Sequence, residues 1–167
     1  MKTTLRLMTL LFAALVLSCG GKEEKKEEKF SYEKKSTKTE AVTKKEEKVP
    51  ASKRVDLTNK GVGPITSVEL AADIDQAMAA QGQEVFKKMC TACHRADKKF
   101  IGPAPTGITE RRSPEWIMNM ILNPEEMVQK DALAKELLIE FNGSPMANQN
   151  LTEEEARSVL EYFRTLK

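Results

Sequence analysis

One pentapeptide limits what this chain can fold into: Cys90-Thr91-Ala92-Cys93-His94. The C-x-x-C-H spacing reads as a covalent attachment site for haem c. Two thiols add to the two vinyl groups on one side of the porphyrin. The two residues between them let the backbone turn far enough for both to reach. The histidine beside the second thiol can then swing under the ring and bind iron through its imidazole.

Three other chemistries compete for the same residues. A redox dithiol of the thioredoxin kind expects a βαβ setting, whereas residues 83–89 look helical and no strand pattern precedes them. A structural zinc needs four ligands; the chain has three cysteines and a single histidine, and Cys19 is committed elsewhere, so zinc is short of partners. Chance placement of two scarce cysteines beside the only histidine is improbable. One covalent haem c is therefore the expected cofactor.

The chain's address agrees with that chemistry. Lys2 and Arg6 open a positive start, and residues 7–17 are mostly apolar. That run is shorter than the ~20 residues needed to span a bilayer and fits a secretory signal peptide over 1–18. It ends Val16-Leu17-Ser18-Cys19-Gly20, which resembles a bacterial lipobox. The resemblance implies cleavage before Cys19 and lipidation of its thiol. Several acyl chains anchor stably where one binds only marginally. The expectation is an exported protein, lipid-anchored to a bacterial membrane and facing the periplasm. The Lys-Glu-Glu cluster after Cys19 also resembles surface-export signals of some lipoproteins.

Residues 19–66 read as a charged linker. The stretch 22–54 carries 12 basic and 8 acidic residues, net +4, with Phe30 and Tyr32 as its only aromatics. Such a composition buries too little surface to offset its conformational entropy. A flexible chain of this length would span roughly 35–40 Å.

From residue 67 to 167 amphipathic helices take over, with no alternating strand pattern, so the fold class is all-α. A first helix is predicted over 73–89, with Ile74, Ala77, Met78, Gln81, Val85, Phe86 and Met89 as its apolar stripe. Gly82 in its interior suggests close contact with another helix. Ser113-Pro114, Asn123-Pro124 and Asp131 start shorter helices, the last closed by Asn142-Gly143. Thr152 and Glu155 form a capping box for the final helix, whose inward face is Ala156, Val159, Leu160 and Phe163.

These features together resemble a class I monohaem cytochrome c over 73–167. Gly82 and Phe86 match the glycine and aromatic of that family's first helix, and Glu161-Tyr162-Phe163 its last. Ile101-Gly102-Pro103 matches the segment after the haem motif, and Ser144-Pro145-Met146 the loop that delivers the sixth iron ligand. The resemblance implies four to five helices around one haem, the Pro103 carbonyl accepting from the axial imidazole, and Met146 as second axial ligand. Two positions depart from it: Pro105 stands where the family often has leucine, and Ala147 where it often has proline.

The residues alone bound the ligand set. His94 is the only histidine, so the sixth position is methionine, lysine, water or open. Met118 and Met120 fall on a helix stripe that needs them as core, and Met127 starts another helix. Met146 lies in a Gly/Ser/Pro loop; with the resemblance it becomes the expected ligand, with Met127 second. A domain of about 95 residues with few aromatics has a thin core, which Phe86, Phe100, Trp116 and the methionines would complete around the porphyrin. Arg111, Arg112 and Trp116 read equally as propionate partners or as the start of a helix.

Lys87, Lys88, Arg95, Lys98 and Lys99 cluster around the motif although residues 73–167 carry net −3. Such a rim would steer acidic partners; a merely solvated face fits as well. The expected function is a single-electron carrier and not an enzyme. Its partners would be a membrane dehydrogenase or bc-type complex as donor and a terminal reductase or oxidase as acceptor, with no nucleic acid. The alternative is a small haem enzyme or gas sensor with an open sixth position.

Overall fold

The described residues run from Val49 to Lys167 in a computed structural model. The signal segment, Cys19 and the first part of the expected linker lie outside them. Among the described residues lie five α-helices and one 3-10 turn: α1 (Gln76–Met89), the turn Ile108–Glu110, α2 (Pro114–Leu122), α3 (Pro124–Lys130), α4 (Ala132–Glu140) and α5 (Glu153–Thr165). Among the described residues the only β-pairing is an isolated bridge between Asp56 and Arg112.

Four of the five helix starts sit where a side chain satisfies an orphan amide, and α3 begins at Pro124 without such a cap. Asp75 accepts from the Met78 amide and starts α1 three residues later than the stripe predicted. Ser113 accepts from the Trp116 amide with Pro114 at the first position of α2. Asp131 accepts from the Ala134 amide. The Thr152–Glu155 capping box is complete, with the Glu155 amide donating to Thr152 Oγ1 at 3.1 Å and the Thr152 amide to Glu155 Oε2 at 2.8 Å. Asn142 (φ 59°) and Gly143 (φ 71°) end the chain segment after α4 in the left-handed region, a conformation asparagine and glycine tolerate.

α1 and α5 cross at Gly82. A Cβ there would stand 1.9 Å from the Ser158 carbonyl oxygen, so only a glycine lets the two backbones meet. The inward face of α1 is Ala79, Gly82 and Phe86; Ala77 and Gln81, expected inside, are exposed. Ile74, Met78, Val85 and Met89 are half-buried as the stripe predicts, while Ala79 and Gly82 take the inward places expected of Ala77 and Gln81. Phe86 packs on Tyr162 and Phe163 with ring centroids 5.5 and 5.7 Å apart. Glu161, 1% exposed, is held by Arg157 at 2.6 Å and Arg164 at 2.8 Å, and Arg164 also donates to the Ala71 carbonyl at 2.7 Å.

The packed chain begins well before residue 67. Residues 50–66, expected to be linker, form an arm laid along α2, α3 and α4. Ala51 and Ile65 are in the core. Asn119, 1% exposed, donates to the Lys60 and Ile65 carbonyls at 2.9 Å and accepts from the Ile65 amide at 2.9 Å. Asn59 reaches Asp131 at 2.6 Å. Gly61, at φ +72°, packs so closely on Met127 and Trp116 that a Cβ would come within 2.7 Å of the Met127 sulfur. Ala51 and Ile65 apart, the arm is held by polar side chains of the domain rather than by large apolar groups of its own, so its composition resembles that of a tether.

Candidate functional site

α1 ends at the motif. The Cys90 amide still donates to the Phe86 carbonyl, and the Cys93 and His94 amides both turn back onto the Cys90 carbonyl, at 3.1 and 2.9 Å. This tight turn presents both thiols and the imidazole to one side. Cys90, Cys93 and His94 line a single, largely apolar cavity of about 290 Å³. Burial, and then the neighbouring Cys93, push the Cys90 thiol up to about 11. A reactive redox thiol needs a lowered pKa, and burial moves Cys90 the opposite way.

His94 is fixed from two directions. Its Nδ1 lies 2.8 Å from the Pro103 carbonyl oxygen, which can only accept, so Nδ1 carries the proton and the Nε2 lone pair is left for a ligand bond. Such a bond sets ring orientation and ligand basicity. The ring packs against Gly102, where a Cβ would come within 2.5 Å of Cε1. Gly102 in turn is pinned by its amide, which donates to the Cys93 carbonyl at 2.9 Å. Glycine at 102 is thus needed to seat the imidazole, a reason that sequence matching alone does not supply.

The methionines separate by position. Met146 lines the same cavity as His94, carried by the loop after α4. Met127, the second candidate by sequence, does not line it: it is fully buried and its sulfur accepts from the Val62 amide at 3.0 Å. Met120, expected to be core, faces the cavity from α2, and Met89 lines it beside the motif. Helical periodicity reports an inward face without telling core from cavity wall. Pro105, the departure from the family pattern, is buried and forms part of the wall.

Phe100 is not on the wall. It is 46% exposed, with the Arg95 guanidinium 4.1 Å from its ring centroid. Trp116 is on the wall, and its Nε1 donates to Asp131 at 3.1 Å. Arg111 and Arg112 line the cavity as well. Arg111 donates to the Thr106 carbonyl at 3.0 Å. Arg112, 3% exposed, donates to the carbonyls of Ala51, Arg54 and Arg111 and stacks on Trp116, and burial pushes its guanidinium below the ordinary value.

An apolar cavity with two thiols and one oriented imidazole on its wall is the donor set and surface that a covalent porphyrin requires. The family model described as Cytochrome c matches residues 79–167. The chain belongs to the cytochrome c family. It is similar to cytochrome c2 of Rhodopseudomonas palustris, 28% identical over 113 residues that cover 53% of this chain and 98% of the relative. It is also similar to cytochrome c-551 of Stutzerimonas stutzeri, 30% identical over 112 residues, 62% of this chain and 94% of the relative. Among solved structures it resembles the cytochrome c from Rhodothermus marinus, at 47% identity and a TM-score of 0.60, covering 62% of this chain and 89% of that one. The cofactor of this cytochrome is one covalently bound haem c, and its chemistry is haem-based electron transfer.

Proposed function

We propose that this cytochrome is a membrane-anchored shuttle that carries single electrons along a periplasmic respiratory chain. Cys90 and Cys93 would hold the haem through thioether bonds, and His94 and Met146 would be the axial ligands. One observation carries the reading: both motif thiols, the imidazole and the Met146 loop line one apolar cavity. The haem would supply a ferric–ferrous couple, and methionine–histidine ligation favours a raised potential. The chain's own part is positional. Pro103 and Gly102 hold the imidazole, the buried walls keep water out, and the loop over 142–150 brings the thioether in.

Cys93 is exposed, and the exposed Lys87, Lys88, Lys98 and Lys99 lie near it in the chain. A cationic rim beside the solvent-facing thiol suits an acidic partner surface and fast encounter. The donor would be a membrane dehydrogenase or bc-type complex, and the acceptor a terminal reductase or oxidase. The anchor at Cys19 and the periplasmic address rest on the signal segment and lipobox of the sequence.

The ferric protein is expected to show the far-red absorbance band of a methionine–iron bond. Met146→Ala should abolish that band while the haem stays covalently attached, and Met120→Ala should keep it. A band that survives Met146→Ala contradicts the ligand assignment. A wild-type spectrum without the band would favour the open-site sensor or enzyme instead.

A further inference from the structure

The arm over 50–66 precedes the residues matched by the family model, yet its contacts run to the wall of the haem cavity. Arg112 lines that cavity and is 3% exposed. Among the described residues it makes no ion pair; Asp56 and Asp131 act on it only through space. Its donors go instead to the carbonyls of Ala51 and Arg54 in the arm and to that of Arg111. The backbone of the arm pairs alongside, with the Asp56 amide donating to the Arg111 carbonyl at 2.9 Å.

Trp116, the neighbouring wall residue, is tied to the arm by a second route. Its indole donates to Asp131 Oδ1, and Asn59 of the arm donates to Asp131 Oδ2 at 2.6 Å. The Asn59 carbonyl also accepts from Ser113 Oγ at 2.6 Å, at the start of the helix that carries Trp116. Ser52 of the arm itself lines the cavity. A linker that ended on the surface would make none of these contacts.

We propose that residues 50–61 are a working part of the haem pocket, which set its reduction potential by holding the Arg112 cation, with Trp116, at the cavity wall. The inference rests on the haem reading given above. The sign follows from electrostatics. Oxidised haem carries one more positive charge than reduced haem, so a buried cation nearby favours the reduced form. Burial and low dielectric act in the same direction by penalising the more highly charged state. Ala51, Arg54 and Asn59 are then positioning residues: they act through Arg112 and Trp116.

The test compares full-length holoproteins by spectroelectrochemical titration, with covalent haem content and the urea midpoint measured on each. The variants are Arg112→Gln, Asn59→Ala, a chain whose residues 50–60 are replaced by a Gly/Ser segment of equal length, and the last combined with Arg112→Gln. The potential is expected to fall in each, least for Asn59→Ala. The combined variant should fall by less than the sum of its parts, because one change releases the Arg112 charge and the other removes it, so both act through the same group. Unchanged potentials in Asn59→Ala and the Gly/Ser chain, with a lower urea midpoint, would show an arm that only stabilises, and would overturn the proposal. Fully additive shifts would overturn it too. Should the Gly/Ser chain not fold, Asn59→Ala decides alone: a lowered potential supports the proposal and an unchanged one overturns it. A wild-type chain without covalent haem removes the underlying reading and the proposal together, whereas bound haem with unchanged potentials removes the proposal only.

Discussion

Replacing Cys90 and Cys93 together by alanine should leave a chain without a fixed tertiary structure. Cavity size decides the outcome. The walls line about 290 Å³ of largely apolar space that is partly open to solvent, and unfilled apolar volume costs at most about 24 cal/mol per Å³, so no more than about 7 kcal/mol here. A small domain has only about 5–15 kcal/mol of total stability. Phe86, Ile117, Phe141, Val159 and Phe163, from three helices and the chain after α4, all face that space, so losing its filling loosens every contact between them. Near-UV circular dichroism should be flat while far-UV helix signal persists in part, and urea should give no cooperative transition. A native-like near-UV spectrum from the double variant would contradict the view that the cofactor completes the core.

Gly82→Ala should destabilise the holoprotein by about 3 kcal/mol, the upper part of the range for overpacked sites. Helix propensity alone argues the other way, since alanine is favoured over glycine by about 1 kcal/mol in a helix interior. Geometry outweighs it. The new methyl would sit 1.9 Å from the Ser158 carbonyl oxygen and 2.3 Å from its carbon. Both are backbone atoms of α5, so no side chain can rotate away, and the crossing itself must open. α1 leads directly into Cys90, and α5 carries Val159 and Phe163 onto the cavity wall. A displaced crossing should therefore perturb the haem spectrum as well as lower the denaturant midpoint. A raised midpoint would mean that propensity, not packing, governs this position.

The parts of the fold that were legible in the sequence are those whose cause is local. Ser113 before Pro114, Thr152 with Glu155, and Asn142-Gly143 each satisfy backbone groups within a few residues, and each lies where the sequence placed it. Gly82 was legible because a glycine inside a strong helix pattern needs a reason, and the crossing supplies it. The arm was not, because its partners are Arg112, Asn119 and Asp131, some 54 to 72 residues away. Nothing in the polar, charged run before residue 67 signals acceptors that distant side chains will seek.

At the site, the motif announced Cys90, Cys93 and His94, and the structure puts them on one wall. Proximity in sequence misled for Phe100, which is close to the motif but lies outward under Arg95. Met127 stands as a plausible sulfur in the sequence, but the Val62 amide engages it. Met120 was hidden for the opposite reason, since an inward helical position looks the same whether it meets a side chain or a cavity. Arg112 and Trp116 are buried like core residues and also line the haem cavity, so the two readings of them by sequence are not exclusive.

The central claim is that one porphyrin is bonded to this polypeptide through the sulfurs of Cys90 and Cys93. Acid–acetone extraction of protein purified from a host equipped for cytochrome maturation tests it directly. The red colour should stay with the precipitated polypeptide. Colour that passes into the acetone, or a colourless protein from the outset, would contradict the account.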